Sequence, residues 1–440
     1  MCNATTMRFP GFGALSNRRL EGKKMTHNQE SSILKLRHSE FLANFDLKYT
    51  PDGFLDDPYP TYAALQQESP VKALPDGSFF LTRYADCLMV YKDPARFLSD
   101  KRQAFRPVFG DTPLFEHHTT SLVFNDPPLH TRVRRLLAPA FTPRALAALR
   151  PRVEAYVNRQ LDLLEDQGSF DLIADLASAL PVQLIGDMLG VPEEERDPLR
   201  GWSLDILGAL EPNPSAARLA AGNRAVEAFK AFLRDLVARH QAGKIPDLPG
   251  EVLSKLLAET HEGDRLSELE LLHNCIFLLN AGHETTTNLI GNGVEALFRF
   301  PDEHRRLRQE PALIESAVEE FLRFESSNQL GNRQAAEDCT IGGINIARGT
   351  YLHLCIGAAN RDPAEFDDPQ RLDIARKPNR HLAFASGIHI CAGASLARME
   401  GQVAIGRLVQ RFPGLQPAGE PVRGGRARFR GFLELPVAVR

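Results

Sequence analysis

The sequence predicts a mainly α-helical protein with a small β lobe. Helical patterns of apolar residues dominate residues 129–324, whereas patterns typical of short strands lie mainly near both ends, including residues 431–439. Residues 41–440 contain no repeat and no low-complexity linker, and 43% of the chain is hydrophobic, which is enough to bury a large core. We therefore expect one large domain over residues 41–440.

The first 40 residues are polar and include several lysine and arginine residues, but they lack the apolar core of a secretion signal. We expect residues 1–40 to form a disordered N-terminal extension. Met25 offers an alternative start, so residues 1–24 need not belong to the native chain.

The segments that follow begin the folded domain. Residues 57–66 show a helical pattern, residues 79–82 a short strand and residues 84–92 a second helix. Residues 104–121 mix aromatic, glycine and proline residues, which indicates a loop that lines a pocket.

The overall composition excludes several classes of function. A net charge of −4 gives no basis for binding nucleic acid or an anionic membrane. The six cysteines lack the spacing of a metal site or a disulfide framework, which suits a reducing cytoplasm. No run approaches the roughly 18 apolar residues that span a bilayer, so we expect a cytoplasmic protein with no membrane span.

The longest helical pattern begins at a capping box formed by Ser267 and Glu270 and ends before Pro301. At 1.5 Å per residue, such a helix has roughly 34 residues and a length of roughly 50 Å. Its centre, AGHETT at residues 281–286, is unusually polar for a buried helix, a conflict that usually marks function. Threonine hydroxyls can bend the helix by bonding to carbonyls one turn back, and Gly282 leaves room for a diatomic ligand.

The segment FASGIHICAG, residues 384–393, places one cysteine directly before a helical pattern. Free N–H groups at a helix N-terminus favour an anion, so we expect a lowered pKa for Cys391. Gly387 permits a tight turn, and Gly393 lacks the side chain that would keep a flat macrocycle away from the sulfur.

Two further side chains of this loop support a haem site. Phe384 can shield the sulfur, and His389 can meet a carboxylate at the edge of the macrocycle. Together these features suit a haem iron held by one cysteine thiolate. For Cys391 taken alone, a buried structural cysteine is the alternative.

The loop resembles the haem-binding signature of the cytochrome P-450 superfamily, with Cys391 at the position of the proximal iron ligand. The family usually has glycine where this chain has Ala385, and we expect a small local adjustment there. The resemblance covers about residue 50 to the C-terminus and points to the soluble bacterial type. It implies a triangular-prism fold in which haem b lies between the long central helix and the cysteine loop and helix.

Within the long helix, the resemblance gives roles to four residues. Glu284 and Thr285 match the family's acid and alcohol, which guide protons to bound oxygen, and Ala281 and Gly282 are expected to contact the cofactor. The alternatives are a helix-bending role for Thr285 and a buried acid paired with a nearby base for Glu284.

Glu320 and Arg323 lie three residues apart, on one face of a predicted helix that resembles the Glu-x-x-Arg helix of the same family. Arg371 matches the third charged partner. The resemblance implies a buried ion network that stabilises the core on the cysteine side. A solvated surface pair is the alternative that the spacing alone favours.

Haem carries two propionates, so the site needs several positive donors. His130 and Arg134 lie four residues apart on one face of a helix predicted to begin after Pro128, and both match family contacts to a propionate. Arg333 and His389 match two more. An ordinary surface cation is the alternative for each.

We therefore expect a haem-thiolate monooxygenase that inserts one atom of O2 into an apolar or amphipathic small organic substrate. No flavin or nicotinamide domain accompanies the haem domain, so electrons from NAD(P)H would arrive indirectly, through a ferredoxin or flavodoxin-type donor with its reductase. The alternatives are a haem-thiolate peroxygenase that uses peroxide and a non-catalytic haem-binding sensor. A cysteine hydrolase is disfavoured, because Cys391 and His389 are too close in sequence for an obvious nucleophile and base.

Overall fold

The computed structural model describes three stretches of the chain: residues 42–245, 252–258 and 266–439. The extension expected at residues 1–40 lies outside them. Residues 42–45 belong to one unit, Met1–Phe45, and every element discussed below belongs to the other unit, Asp46–Arg440. Helices make up most of this second unit and short strands a smaller part, which confirms the predicted fold class.

The helices are named here in chain order. They are α1 (Tyr59–Glu68), α2 (Tyr84–Lys92), α3 (Arg102–Phe109), α4 (Pro113–Thr120), α5 (Leu129–Leu137), α6 (Pro143–Glu165), α7 (Ala179–Leu189), α8 (Asp197–Gly208), α9 (Ala216–Gln241), α10 (Leu253–Ala258), α11 (Glu268–Arg299), α12 (Pro301–Gln309), α13 (Ile314–Phe324), α14 (Ile356–Ala359) and α15 (Ala394–Arg411). Among the described residues, no helix combines the length and apolar character needed to cross a membrane.

Over residues 42–245, 252–258 and 266–439, the strands form four small sheets. They are β1 (Val71–Ala73), β2 (Phe79–Leu81), β3 (Phe97–Leu98), β4 (Ser169–Asp171), β5 (Leu330–Ala335), β6 (Cys339–Ile341), β7 (Ile344–Ile346), β8 (Tyr351–Cys355), β9 (Gln416–Pro417), β10 (Val422–Arg423), β11 (Phe432–Glu434) and β12 (Pro436–Ala438). The largest sheet has the order β1-β2-β8-β5-β3 and is antiparallel except for the parallel pair β2 and β8. The others are β4-β12-β9, β10-β11 and β6-β7.

The central helix α11 organises the packing of its neighbours. The predicted capping box is present: the Ser267 hydroxyl accepts from the Glu270 N–H at 3.2 Å, and the Glu270 carboxylate accepts from the Ser267 N–H at 2.8 Å. The helix ends at Arg299, because Pro301 starts α12 and cannot continue the hydrogen-bond ladder of α11. Buried aliphatic side chains along its 32 residues pack against α7, α8, α9, α13 and α15.

The loop expected at residues 104–121 is the main error in the predicted elements. These residues lie largely in two helices, α3 and α4. The Thr112 hydroxyl caps α4 by accepting from the Phe115 N–H, Pro113 starts its first turn, and Gly110 with a φ of +61° ends α3. Both helices have only eight residues, so their periodicity is short and their glycine and proline content favours the prediction of a loop.

Candidate active site

A cavity of about 800 Å³ lies between the middle of α11 and the loop that precedes α15. α11 contributes Ala281, Gly282 and Thr285 to its wall, and the loop contributes Cys391 and Gly393. Much of the remaining wall is apolar and includes Phe105, Val108, Phe109, Leu122, Ile185, Leu207, Phe277, Leu278, Leu289, Leu330 and Leu396. The cavity therefore brings the two central sequence motifs to one largely apolar space.

Two left-handed residues shape the backbone of the cysteine loop. Gly387 has a φ of +71°, and a Cβ there would lie 2.2 Å from the Tyr91 carbonyl oxygen, so only glycine fits. Ala385 has a φ of +57°, a conformation that costs a non-glycine residue about 1–2 kcal/mol. Ala385 thus adopts a conformation that glycine favours, and the local adjustment expected from the sequence stays a prediction. The Cys391 N–H donates to the Phe384 carbonyl at 3.0 Å and closes the loop.

Cys391 is exposed at the cavity wall, yet protein surrounds its thiol closely. Burial raises the pKa of the thiol, and the Gly393 N–H and the guanidinium groups of Arg134 and Arg398 lower it by less. The expectation of a lowered pKa is thus wrong for the protein alone. Because a metal deprotonates the thiol that coordinates it, iron and not the helix N-terminus would stabilise the thiolate here.

The two glycines that flank the cavity have different functions. At Gly282, a Cβ would lie 2.9 Å from the Ile185 side chain, so this glycine lets α7 approach α11 closely. Ile185 therefore takes up the space at the Cβ position, while Gly282 still borders the cavity, and the room expected there for a diatomic ligand stays a prediction. At Gly393, a Cβ would meet Phe141 no closer than 3.8 Å, so the face beside Cys391 is open, as a flat macrocycle requires.

Thr285 borders the cavity and makes the bond that its helix-bending alternative predicts. Its hydroxyl donates to the Ala281 carbonyl, one turn back, at 2.6 Å. Because the hydroxyl proton points along the helix, the lone pairs of Oγ1 are left to accept a hydrogen bond. Thr285 can therefore bend the helix and present an acceptor at the same time.

Glu284 is buried and forms an ion pair with a residue 142 positions away. The Arg426 guanidinium donates to Oε1, whereas Oε2 is buried without a hydrogen-bond partner among the described residues. Burial raises the pKa of Glu284 to about 7, although Arg426 lowers it. The observed contact matches the paired-acid alternative. A carboxyl that titrates near neutral pH is also suited to proton transfer, so the relay role stays a prediction.

The residues predicted to hold propionates all border the cavity: His130, Arg134, Arg333 and His389. The rings of His130 and His389 lie 4.0 Å apart between centroids. Within the described residues, neither nitrogen of His130 has a hydrogen-bond partner, and His389 Nε2 lies 3.8 Å from Asp126 Oδ1. Buried nitrogens of this kind are costly to leave unpaired, and carboxylates would pair them. With the thiol and the open face at Gly393, this donor set fits haem.

Phe384 borders the cavity, and its ring is held by a contact that was not predicted. The Arg398 guanidinium stacks over the ring at 4.6 Å from the centroid and donates to Glu319 at 2.6 and 2.8 Å. His381 Nε2 lies 3.2 Å from the same carboxylate. These contacts tie the cysteine loop and α15 to α13.

The predicted ion network is present, with one member corrected. Arg323 donates two bonds of 2.8 Å to Glu320, and both side chains are fully buried. The second cation is Arg376, whose Nε lies 3.1 Å from Glu320 Oε2. The assignment of Arg371 to this position is wrong: its side chain is exposed, and its backbone carbonyl accepts from Arg323 at 3.1 Å. The chain turns at Asp368, with a φ of +44°, so the carbonyl of Arg371 faces the network.

His117, His118 and Asn280 are among the polar residues of the cavity wall that were not predicted individually. The two histidines are consecutive in the segment expected to line a pocket, and this pair of neighbouring histidines was the signal by which the sequence could have identified them. Asn280 directly precedes the AGHETT motif of α11.

Known proteins share both sequence and fold with this chain. A family model described as Cytochrome P450 matches residues 218–423. The vitamin D(3) 25-hydroxylase of Pseudonocardia autotrophica is 42% identical over 398 residues, which cover 88% of this chain and 94% of the relative. The 6-deoxyerythronolide B hydroxylase of Saccharopolyspora erythraea is 35% identical over 404 residues, which cover 88% of this chain and 97% of the relative.

Solved structures agree with this likeness. P450BioI in complex with hexadec-9Z-enoic acid ligated acyl carrier protein has a TM-score of 0.82 and 34% identity over 88% of this chain and 99% of that chain. CYP109E1 from Bacillus megaterium in complex with testosterone has a TM-score of 0.80 and 31% identity over 89% of this chain and 100% of that chain. With a thiol, two arginines and two histidines around one cavity, and with the similarity just described, the chain belongs to the cytochrome P450 family and is a haem-thiolate monooxygenase that receives electrons from redox partners.

Proposed function

We propose that this monooxygenase hydroxylates an apolar or amphipathic molecule of the size and kind of vitamin D3, in the cytoplasm. The observation that supports this is the largely apolar cavity, whose wall includes both Cys391 and Thr285. The 42% identical relative is named a vitamin D(3) 25-hydroxylase, and CYP109E1 was solved with testosterone. NAD(P)H is the electron source, through a ferredoxin or flavodoxin and its reductase.

In this proposal, Cys391 Sγ holds the iron of haem b. Arg134 and Arg333 bind the propionates as guanidinium donors, and His130 and His389 add imidazole N–H groups. Bound haem supplies the activation of O2 and the transfer of one oxygen atom. The protein holds the group in place and keeps the cavity apolar.

Thr285 and Glu284 move protons in this proposal. Thr285 Oγ1 accepts a hydrogen bond from a donor inside the cavity. It donates its own proton only when its 2.6 Å hydrogen bond to the Ala281 carbonyl opens. Glu284 Oε2 is the atom that takes up a proton, because Oε1 is occupied by Arg426. With a pKa of about 7, Glu284 is protonated in a larger fraction of molecules at neutral pH than an exposed glutamate.

The test is turnover of vitamin D3 by the purified haem-loaded protein under ¹⁸O2, with NADPH, a bacterial ferredoxin and its reductase. We expect a hydroxylated product that carries one ¹⁸O atom, and none when the donor proteins are omitted. A parallel reaction with hydrogen peroxide alone tests the peroxygenase alternative. Product from peroxide but not from the donor system would replace the proposal, and absence of product in both reactions would contradict the substrate class.

A further inference from the structure

A small polar patch interrupts the apolar wall of the cavity where α4 meets α11. It consists of His117 and His118 on α4 and Asn280 on α11, all at most 3% exposed. The two imidazole centroids are 5.0 Å apart, and Asn280 Nδ2 lies 3.5 Å from His117 Nε2. The three side chains therefore form one contiguous group, which the roles proposed above do not use.

A chain of contacts orients Asn280. The Glu116 carboxylate, paired with Lys230 at 2.6 Å, can only accept, so His273 Nε2 donates to it across 2.9 Å. His273 Nδ1 is then an acceptor, and His117 Nδ1, 3.3 Å away, is its donor. His117 Nε2 accepts in turn from the Asn280 amide N–H. This assignment leaves Asn280 Oδ1 as a buried acceptor without a partner among the described residues.

His118 is the second group of the patch with unused hydrogen-bonding capacity. Neither of its ring nitrogens has a partner in the described part of the chain, and the residue is 1% exposed. The rings of Phe105, Phe109 and Phe124 surround it, with centroids 5.3–5.8 Å away. Burial lowers its pKa to about 3, so the imidazole is neutral and offers one donor and one acceptor. Native proteins seldom leave such a group unpaired.

We propose that Asn280 and His118 form a polar subsite that binds a neutral hydroxyl group of the substrate. This inference rests on the proposed function and specifies its substrate class as an apolar body with a neutral oxygen group. A hydroxyl within reach of both side chains would donate to Asn280 Oδ1 and accept from the His118 N–H. A carboxylate is disfavoured, because it has no proton to donate to Asn280 Oδ1.

The experiment compares vitamin D3, which has one hydroxyl group, with 3-deoxyvitamin D3, which has none. Binding to the haem-loaded protein is measured from the spin-state shift of the haem absorbance, without turnover. We expect the wild type to bind vitamin D3 at least about tenfold more tightly, because the deoxy compound lacks two neutral hydrogen bonds that contribute roughly three- to tenfold each. His118→Phe and Asn280→Leu keep the side-chain size and should each weaken vitamin D3 binding about three- to tenfold, with no change for the deoxy compound.

His304→Phe is the matched control. His304 lies on α12, its buried Nε2 also has no hydrogen-bond partner among the described residues, and its ring meets Phe298 edge-on. Both affinities should be unchanged in this variant. The two test variants lie on different helices, so a folding defect in one, seen as lost haem, leaves the other informative.

Equal binding of the two compounds by the wild type, or no spin-state shift with either, would overturn the subsite. Equal weakening of both compounds in the variants would also overturn it, since that result indicates a change of shape. These outcomes can be told apart from those of the proposed function. If ¹⁸O-labelled product forms but the two compounds bind equally, only the subsite is contradicted. If vitamin D3 binds more tightly than the deoxy compound but no product forms, only the proposed reaction is contradicted.

Discussion

Glu320→Ala is expected to leave little haem-loaded protein. Glu320 is the common acceptor for Arg323, Arg376, the Asp373 N–H and the Asn379 amide. Its removal leaves a fully buried guanidinium without its counter-charge, which costs roughly 3–5 kcal/mol. That is a large share of the roughly 5–15 kcal/mol by which a folded protein is stable. It also releases the segment that leads into the cysteine loop.

The measurement is the ratio of haem to protein absorbance after purification, together with urea unfolding. Arg371→Ala is the control, since it keeps the backbone carbonyl that accepts from Arg323 and removes only an exposed side chain. This control should load haem like the wild type. Normal haem content in Glu320→Ala would show that the network is dispensable, and equal losses in both variants would return Arg371 to the network.

Thr285→Ala is expected to retain haem and substrate binding but to lose most of the coupling between electrons and product. The variant removes the hydroxyl of Thr285, a residue that borders the cavity. A positioned proton donor typically contributes 10²–10⁴-fold to a rate. We expect product per NADPH to fall about tenfold or more while NADPH is still consumed, with the lost electrons recovered as hydrogen peroxide. The assay measures NADPH, peroxide and product in the same reaction.

Thr287→Ala is the control for this variant. Thr287 makes the same type of bond, to the His283 carbonyl at 2.9 Å, and is buried in the same helix. Thr287→Ala removes a hydroxyl that is bonded to a helix carbonyl but leaves the Thr285 hydroxyl in place. The coupling of electrons to product in this variant should therefore equal that of the wild type. Unchanged coupling in Thr285→Ala would refute the proton role, and equal losses in both variants would assign the effect to the shape of α11.

Much of the fold could be predicted because its signals are local. The capping box at Ser267 and the proline at Pro301 lie within a few residues of the helix ends that they define, so α11 was placed almost to the residue. The same holds for the turn at Gly387 and for α2, which spans the predicted residues 84–92. By contrast, α3 and α4 are too short for their periodicity to outweigh glycine and proline.

The candidate site could be predicted only in part, because several of its contacts join distant segments. The partner of Glu284 is Arg426, 142 positions away, and no local pattern connects them. Arg376 replaces Arg371 because the turn at Asp368 directs the backbone carbonyl of Arg371, and not its side chain, toward the network. The direction of the Cys391 pKa was wrong, since burial by the surrounding protein outweighs the nearby N–H and guanidinium groups.

The most direct test of the central claim is the carbon monoxide difference spectrum of the dithionite-reduced protein, measured beside Cys391→Ser. Thiolate ligation through Cys391 should give the wild type a strongly red-shifted Soret band and remove that band from the variant. A histidine-type band in the wild type, or the same red-shifted band in Cys391→Ser, would contradict the assignment of Cys391 as the iron ligand.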